Sequence, residues 1–290
     1  MSNFSRAALW MGLWILCTLC LTLAARELSR ELPTFEIMAL RTFIGAAVLT
    51  PFILLSRGRI FATSRPAVHF LRNTVHFAAQ FCWFLAVVLI PLAEVVSIEF
   101  TMPIWTAIFA SILLGERLTR NRILAIALGF IGVLLILRPG VAAIHPGALA
   151  ALGSALGFSL SVTLVKKLTG SESTPTILAY MFWTQAVLSA VVLLVLFTFF
   201  PTVFTWVWPS SALYPFVVLL GIVGSAGHYC LTRATAAVDA TVIGPLDFLR
   251  VPLTILMGSA LYGEPLTAYL AVGAALILGG NLLNSRKPVT

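Results

Sequence analysis

The segment "SILLGERLT" at residues 111–119 recurs as "SALYGEPLT" at residues 259–267, and this repetition indicates how the chain is organised. Six of the nine positions are identical, at an offset of 148 residues. Four other pairs align at this offset without a gap: Glu99 with Asp247, Phe100 with Phe248, Cys82 with Cys230 and Gln80 with His228. The chain is therefore predicted to consist of two related halves, residues 1–140 and 141–290.

The composition indicates an integral membrane protein. Of 290 residues, 60% are hydrophobic and 10% are charged, and the mean hydropathy is +1.04. That is too apolar for a soluble domain of ordinary composition. The formal charge of +8 would suit nucleic-acid binding, but the basic residues are scattered singly between apolar runs and form no patch. We therefore interpret the basic residues as a signal of membrane orientation.

Turn residues and charges divide the chain into ten apolar runs. A bilayer core about 30 Å thick needs roughly 20 apolar residues per helix, so each run is a candidate span. The predicted spans are residues 7–25, 34–55, 67–89, 93–114, 121–137, 147–168, 174–198, 211–233, 238–261 and 267–284. The predicted fold class is an all-α integral membrane protein with ten transmembrane helices.

The distribution of Lys and Arg predicts the orientation, because these residues are retained on the cytoplasmic side. With the N-terminus inside, twelve of the 18 lie in cytoplasmic segments and three, Arg26, Arg30 and Arg138, lie opposite. Both termini are therefore predicted to be cytoplasmic. Because each half has an odd number of spans, the halves enter the membrane in opposite directions. In agreement, "GERLTRNR" carries three arginines where its counterpart "GEPLTAYL" carries none.

An inverted repeat of this kind is typical of secondary transporters. Their substrate site lies near the membrane midplane between the halves, and access alternates as one half rocks against the other. Duplicated membrane proteins also include channels and scaffolds, and the repeat alone leaves those alternatives open.

The order of the short motifs resembles one known family, the EamA branch of the drug/metabolite transporter superfamily. Gly115 with Glu116 closes the fourth span, Gly263 with Glu264 closes the ninth, and Arg41 lies in "LRTFIGAAVL" of the second. The resemblance covers essentially the whole chain. It implies one five-helix EamA repeat in each half and a basket of helices around a central cavity. The third, fourth, eighth and ninth spans would line much of that cavity.

The resemblance also implies a class of cargo. Members of the family move amino acids, nucleosides, vitamins and other small metabolites, many of them outward. The segments "HFLRNTVHF" and "AAVDATVIGPLDFLR" are similar to the subgroup that contains S-adenosylmethionine uptake carriers. One departure is that Pro103 and Pro252 lie one position out of register in the repeat, so the fourth and ninth helices are expected to bend differently.

Polar residues on the third span form a stripe on one helical face. An ionisable side chain at the bilayer centre costs roughly 2.5 to 3.5 kcal/mol, so it normally faces the bundle interior or water. In "LRNTVHFAAQFCW", Arg72, His76 and Gln80 follow at steps of four and Trp83 at a step of three, which places them together. Two alternatives stay open: Arg72 reaching the lipid headgroups, and His76 bridging two helices.

Two carboxylates related by the repeat, Glu99 and Asp247, are the candidates for proton coupling. Asp247 and Arg250 are three residues apart and can form an ion pair on one helical face. If Glu99 also reaches Arg250, the three form a site for a zwitterion, with its carboxylate on Arg250 and its ammonium on an acidic group. A pair that only locks helices together is the alternative.

Further candidates for substrate contact lie on the other cavity-lining spans. His228 corresponds to Gln80 in the repeat and stands beside Tyr229. Trp83 and Trp105 are candidates for flat walls against a ring or a cation. A position against lipid or core is the alternative for Trp105.

Four charged residues are predicted to have gating or structural roles. Glu116 and Glu264 end helices at opposite membrane surfaces, and Arg41 and Arg72 belong to the same class. The chain contains no nucleotide-binding P-loop, no HExxH zinc motif and no nucleophile paired with a base. We therefore predict neither an enzyme nor a cofactor or metal site.

Together these patterns predict a secondary transporter that moves a small polar or zwitterionic metabolite, such as an amino-acid or nucleoside derivative, by alternating access. Within that class, the alternative is an uptake carrier for S-adenosylmethionine or a vitamin-like substrate. Outside it, the alternative is a membrane receptor or scaffold that does not transport. The expected setting is a bacterial inner membrane, with the protein as a monomer or homodimer and protons as candidate coupling ions.

Overall fold

The computed structural model describes residues 3–55, 61–115, 120–138, 144–168, 171–202, 204–235 and 246–285. These ranges form helices joined by short turns, and no strand occurs in them. The helices are α1 (Asn3–Leu28), α2 (Thr34–Leu55), α3 (Pro66–Leu89), α4 (Leu92–Glu99), α5 (Met102–Leu114), α6 (Arg120–Leu137), α7 (Pro146–Leu168), α8 (Thr174–Phe199), α9 (Tyr214–Thr235), α10 (Arg250–Tyr262) and α11 (Ala268–Ser285). The all-α prediction is confirmed.

Within the described ranges, six stretches are long and apolar enough to cross a membrane. They are Ser5–Leu28, Thr34–Pro51, Leu92–Leu114, Pro146–Leu168, Pro175–Phe199 and Ser211–Leu231, with shorter apolar helices at Ile123–Leu137 and Ala268–Leu283. Large apolar side chains such as Ile112 and Leu194 are exposed on the outside of the bundle, where lipid would cover them. The chain is a multi-pass membrane protein.

The helix α3 is unusual because the side it buries is partly polar. Its first residue is Pro66, a position where the missing N–H costs no helical hydrogen bond. The buried residues of α3 include five with polar side chains: His69, Arg72, Asn73, His76 and Gln80. The interior of the bundle next to α3 is therefore polar, while its outer surface is apolar.

The predicted fourth span is interrupted within the protein interior. Its helix ends at Glu99 and a second one starts at Met102. Pro103 causes the break, because its ring clashes with the carbonyl of Glu99 and it has no N–H to bond there. Irregular backbone at membrane depth is tolerated only where protein or a water-filled cavity surrounds it, and Phe100 and Thr101 are both buried. The break leaves Glu99 at the end of a short helix in the interior.

Elements of the two halves begin and end at corresponding positions. The helices α5 and α10 start at Met102 and Arg250 and end at Leu114 and Tyr262, both at the repeat offset of 148 residues. The boundaries of α6 and α11 are related in the same way. The shared glycine of the repeated segment ends α5 and α10 in the left-handed conformation, at φ 70° and φ 63°, where a side chain would be strained.

The most extensive helix contacts join one half to the other: α3 packs along α7, α1 along α9 and α6 along α11. Glycines allow the closest of these approaches. A Cβ atom on Gly132 would lie 2.7 Å from the carbonyl oxygen of Gly273, and one on Gly280 would lie 2.9 Å from that of Ala125. Gly132 and Gly280 are 148 residues apart, and so are Ala125 and Gly273. The second contact is therefore the first with the two halves exchanged.

Candidate functional site

Two acidic residues hold Arg250 between them at the start of α10. Its guanidinium donates from Nη1 to Oε1 of Glu99 at 2.8 Å and from Nη2 to Oδ2 of Asp247 at 3.3 Å. The two remaining carboxylate oxygens accept indole N–H groups, from Trp83 to Glu99 and from Trp14 to Asp247, each at 3.0 Å. We call these five residues the carboxylate cluster.

The break in the fourth span positions the carboxylate cluster. Glu99 is the last residue of α4, and the ring of Phe100 lies beneath the Arg250 guanidinium, with 4.9 Å from the guanidinium carbon to the ring centroid. Both charged side chains are buried. A small cavity borders them and is also lined by Thr22 and Val95. The predicted contact between Glu99 and Arg250 is present, and it leaves this guanidinium occupied by two carboxylates.

A second polar group lies farther along α3 and is built on arginine and histidine. Arg41 of α2 donates to Oε1 of Gln80 at 2.6 Å and contacts Nε2 of His228 at 3.4 Å. The rings of His76 and His228 lie 5.8 Å apart, measured between centroids. Arg72 lies one helical turn before His76, and both arginines interact electrostatically with both imidazole rings. We call these five residues the arginine–histidine cluster.

Side chains from α7 and α8 enclose the two imidazole rings. Nδ1 of His76 lies 3.3 Å from the hydroxyl of Ser161, and its ring lies 5.0 Å from that of Phe158. Phe182 meets the ring of His228 edge to face at 6.0 Å. Helices from both halves therefore build this cluster.

The polar stripe of α3 connects the two clusters. Trp83 belongs to the carboxylate cluster and Arg72 to the far end of the arginine–histidine cluster; at 1.5 Å per residue they are roughly 16 Å apart along the helix. All four stripe residues are buried. Arg72 donates to the side chain of Asn73 and does not extend to the surface. His76 does contact a second helix, and its environment there is polar and charged.

A network around Glu264 closes one end of the bundle above the carboxylate cluster. One oxygen of Glu264 pairs with Arg26 of α1, and the other accepts the backbone N–H of Leu92, the first residue of α4, at 2.7 Å. A carboxylate at a helix N-terminus is favourable for both hydrogen bonding and the helix dipole. Nearby, the hydroxyl of Tyr262 donates to Glu27 at 2.9 Å. The network joins helices of both halves at one end of the bundle.

Two residues predicted to contact the substrate are not brought into the clusters. Trp105 contacts Thr101 and Phe130. Tyr229 is 49% exposed on the outside of the bundle, with its ring against Trp10. Glu116 lies outside the described residues.

Trp14 is the site residue that sequence reasoning did not single out for a contact. Its partner Asp247 is 233 residues away, so their hydrogen bond depends entirely on how α1 packs against the second half. A tryptophan in a predicted first span carries no such signal. Among the described residues, no group of three or more His, Cys, Asp or Glu is placed to hold a metal ion.

Charged side chains in the interior of a membrane bundle mark functional sites such as substrate or ion pathways, proton relays and ligand counter-ions. The sequence profile of the EamA-like transporter family matches the chain twice, at residues 5–138 and 145–286. The chain belongs to this family. It is a transporter and not an enzyme.

Its relatives carry small metabolites. A chain from Rickettsia prowazekii named S-adenosylmethionine uptake transporter is 27% identical over 89% of this chain and 85% of its own length. A riboflavin transporter from Rhizobium johnstonii is 30% identical over 97% of this chain and 91% of its own. A protein of known crystal structure matches with a TM-score of 0.65 and 26% identity over 96% of each chain.

Proposed function

We propose that the protein is a secondary transporter that moves a small polar or zwitterionic metabolite across the membrane by alternating access. The observation that carries this proposal is the pair of buried polar clusters at the contact between the halves. Burying so many ionisable groups is costly, and in membrane proteins such groups mark substrate or ion pathways. Membership of the transporter family supports the same conclusion.

The substrate site would lie along α3, between the two clusters. His76, Gln80 and Trp83 would line one wall, His228 a second, and Glu99, Asp247 and Arg250 one end. Buried polar groups that face each other from different helices provide the few fixed polar contacts by which a small-molecule site selects its ligand.

Two inverted five-helix repeats, residues 1–140 and 141–290, would move against each other around this site. The double match of the family profile supports the division. The packing supports a twofold relation between the halves. At the repeat offset α1 corresponds to α7 and α9 to α3, and the contact of α1 with α9 is matched by that of α7 with α3. The two glycine contacts are related in the same way. Five helices per half would give ten spans with both termini in the cytoplasm.

The Glu264 network would be the closed gate of the present conformation. Under the predicted topology it faces the outside of the membrane, which we take to be a bacterial inner membrane. Substrate would enter or leave on that side only after Arg26 and Leu92 separate from Glu264. The carboxylate cluster lies directly beneath, so opening the gate would expose it.

Glu99 and Asp247 would couple transport to protons. Each carboxylate accepts two hydrogen bonds, and both share Arg250. A proton taken up by Glu99 would weaken the contact between α4 and α10, and one taken up by Asp247 would weaken its bonds to Arg250 and to Trp14 of α1. A change in the packing of helices from different halves is the kind of event that switches an alternating-access carrier.

The relatives supply two specific substrate candidates, S-adenosylmethionine and riboflavin, both as uptake. Purified protein in sealed vesicles would be given each labelled compound and a panel of labelled amino acids. Saturable uptake of one compound, absent from protein-free vesicles, is the expected result. Binding without uptake in every case would favour a receptor or scaffold instead.

Variants Glu99→Gln and Asp247→Asn test the coupling. We expect each to abolish uptake or to make it independent of an imposed proton gradient, with normal amounts of protein in the membrane. The matched control is Glu31→Gln, which removes a carboxylate that binds Ser210 at the surface. If both cluster variants showed uptake at the wild-type rate with unchanged dependence on the proton gradient, Glu99 and Asp247 would have no role in proton coupling.

A further inference from the structure

Two arginines in the interior lack a negative partner among the described residues. Arg41 and Arg72 are only 4% and 7% exposed. Their side-chain hydrogen bonds go to neutral groups, from Arg41 to Gln80 and His228 and from Arg72 to Asn73. A guanidinium stays charged in proteins, and a buried charge is costly unless it is paired. Two buried cations without an anionic partner, both close to the same pair of histidines, are therefore energetically unfavourable unless an anion binds beside them.

Among the five residues of the arginine–histidine cluster, the buried hydrogen-bonding atoms without a partner in the described part of the chain are donors. Nε of Arg41, Nε of Arg72 and Nε2 of Gln80 are buried and have no acceptor in the described part of the chain. The missing partner of three N–H donors is an acceptor, and the two neighbouring positive charges favour an anionic one. A carboxylate fits this requirement, since its two oxygens offer about four acceptor positions and pair with guanidinium groups in a planar fork.

The opposite end of the stripe has the opposite character. Arg250 is already bound by Glu99 and Asp247, two carboxylates against one guanidinium. These two carboxylates compensate its positive charge, and only its Nε has no acceptor in the described part of the chain. An excess of negative charge at that end suits the cationic group of a ligand.

We propose that Arg41 and Arg72, with the amide of Gln80, form the subsite that binds the carboxylate of a zwitterionic substrate, whose cationic group lies toward Glu99 and Asp247. This inference rests on the proposed transport function and deepens it by fixing the polarity of the bound substrate. It reverses the expectation from sequence, in which Arg250 receives the carboxylate.

In the ligand-free protein, a structural and a ligand-binding role of Arg72 lead to different stabilities of the Arg72→Gln variant. If Arg72 only stabilises the bundle, Arg72→Gln lowers the unfolding temperature. If the role of Arg72 is to bind an anion, the substitution removes a buried charge that has no partner in the ligand-free protein. The new glutamine still has a donor for Asn73, so the unfolding temperature should be unchanged or higher. Binding and stability then change in opposite directions, which a purely structural arginine would not produce.

Benzoate and benzamide provide a matched pair of probes, because they share a shape and differ in charge. Thermal unfolding of the purified full-length protein would be followed while each is titrated at fixed sodium chloride concentration. Wild type should be stabilised saturably by benzoate and much less by benzamide. Arg41→Gln and Arg72→Gln should each weaken the apparent affinity for benzoate by about tenfold to a hundredfold, as expected for a charge-assisted hydrogen bond.

The control is Arg30→Gln, which removes a charge from a side chain that is 64% exposed. It should leave benzoate stabilisation unchanged. Equal stabilisation of wild type by the two probes would overturn the proposal, and so would benzoate stabilisation that survives both cluster variants. If either variant fails to fold, Gln80→Ala, which removes one of the three donors without touching a charge, must weaken benzoate binding for the proposal to stand.

Vesicle uptake separates this proposal from the transport function on which it rests. Uptake of a metabolite by a protein with no preference for benzoate would refute the anion subsite and leave transport intact. A preference for benzoate that is lost in the arginine variants, with no uptake of any compound tested, would support the subsite and refute transport.

Discussion

Glu264 should hold the outer end of the bundle closed, and neutralising it should shift the protein toward the open state. The substitution Glu264→Gln keeps the size of the side chain. The amide has one oxygen for the two donors that the carboxylate now accepts, Arg26 and the N–H of Leu92. Its NH₂ group must then face one of these donors.

The size of the effect follows from burial. Breaking a fully buried ion pair costs about 3–5 kcal/mol. The side chains of Arg26 and Glu264 are 17% and 9% exposed, and Arg26 also bonds to backbone carbonyls of α3 and the turn after it, so the upper part of that range does not apply. A loss of about 2 kcal/mol in the closed state corresponds to about a 30-fold larger open population.

Chemical accessibility measures that population. Thr22 lines the cavity beneath the network, so a single cysteine introduced there as Thr22→Cys, with the four native cysteines replaced, reports opening. The rate of its modification by a membrane-impermeant maleimide should rise about 30-fold with Glu264→Gln, and Arg26→Gln should act similarly. The double variant should add little, because both changes break one contact. A rise below about threefold, or fully additive effects, would refute a gate at Glu264.

Three further outcomes are expected. Gly132→Ala should lower the thermal unfolding temperature, because its new Cβ would lie 2.7 Å from a carbonyl oxygen of α11 and overpacking costs about 1–3 kcal/mol. Gly279→Ala is the matched control: its new Cβ would meet nothing within 4 Å, so the free energy of unfolding should rise by about 0.5–1 kcal/mol. The backbone N–H and the hydroxyl of Ser210 donate to Glu31 in the turn after α1 and lower the pKa of its carboxyl. Their stabilisation is full above the unfolded pKa of about 4.3 and is lost as the pH falls through the lower folded value. Ser210→Ala removes the hydroxyl and keeps the N–H, so it should reduce that acid dependence in unfolding scans only in part, whereas Glu31→Gln should remove it. His76→Ala should weaken substrate binding, and unchanged affinity with a lower unfolding temperature would assign His76 to packing.

The helices themselves were largely predictable from sequence, because lipid requires long apolar runs and turn residues punctuate them. The second predicted span, 34–55, and the helix α2 coincide, and the third differs by one residue at its start. The break after Glu99 was not predicted because apolarity continues through it. Pro103 carried the signal, but a proline within a span can either kink a helix or break it.

The polar stripe of α3 was predictable because helical periodicity places side chains four residues apart on one face. The periodicity cannot identify what faces that stripe. The contact from Arg41 to Gln80 joins two consecutive helices of the first half. The contacts of His228 with His76 and of Trp14 with Asp247 join helices of different halves, so they depend on the packing of one half on the other. Adjacent residues on a helix point in different directions, which is why Tyr229 lies on the outer face while His228 lies inside.

Exchange across a sealed membrane distinguishes an alternating-access carrier from a channel and from a protein that does not transport. Vesicles containing the purified protein would be loaded with an unlabelled compound that it takes up, and entry of the same labelled compound would be followed. An alternating-access carrier should take up label faster into loaded vesicles than into empty ones, and Glu99→Gln should alter that acceleration. Uptake that is insensitive to the internal compound would indicate a channel, and the absence of flux would contradict a transport role for the interior site.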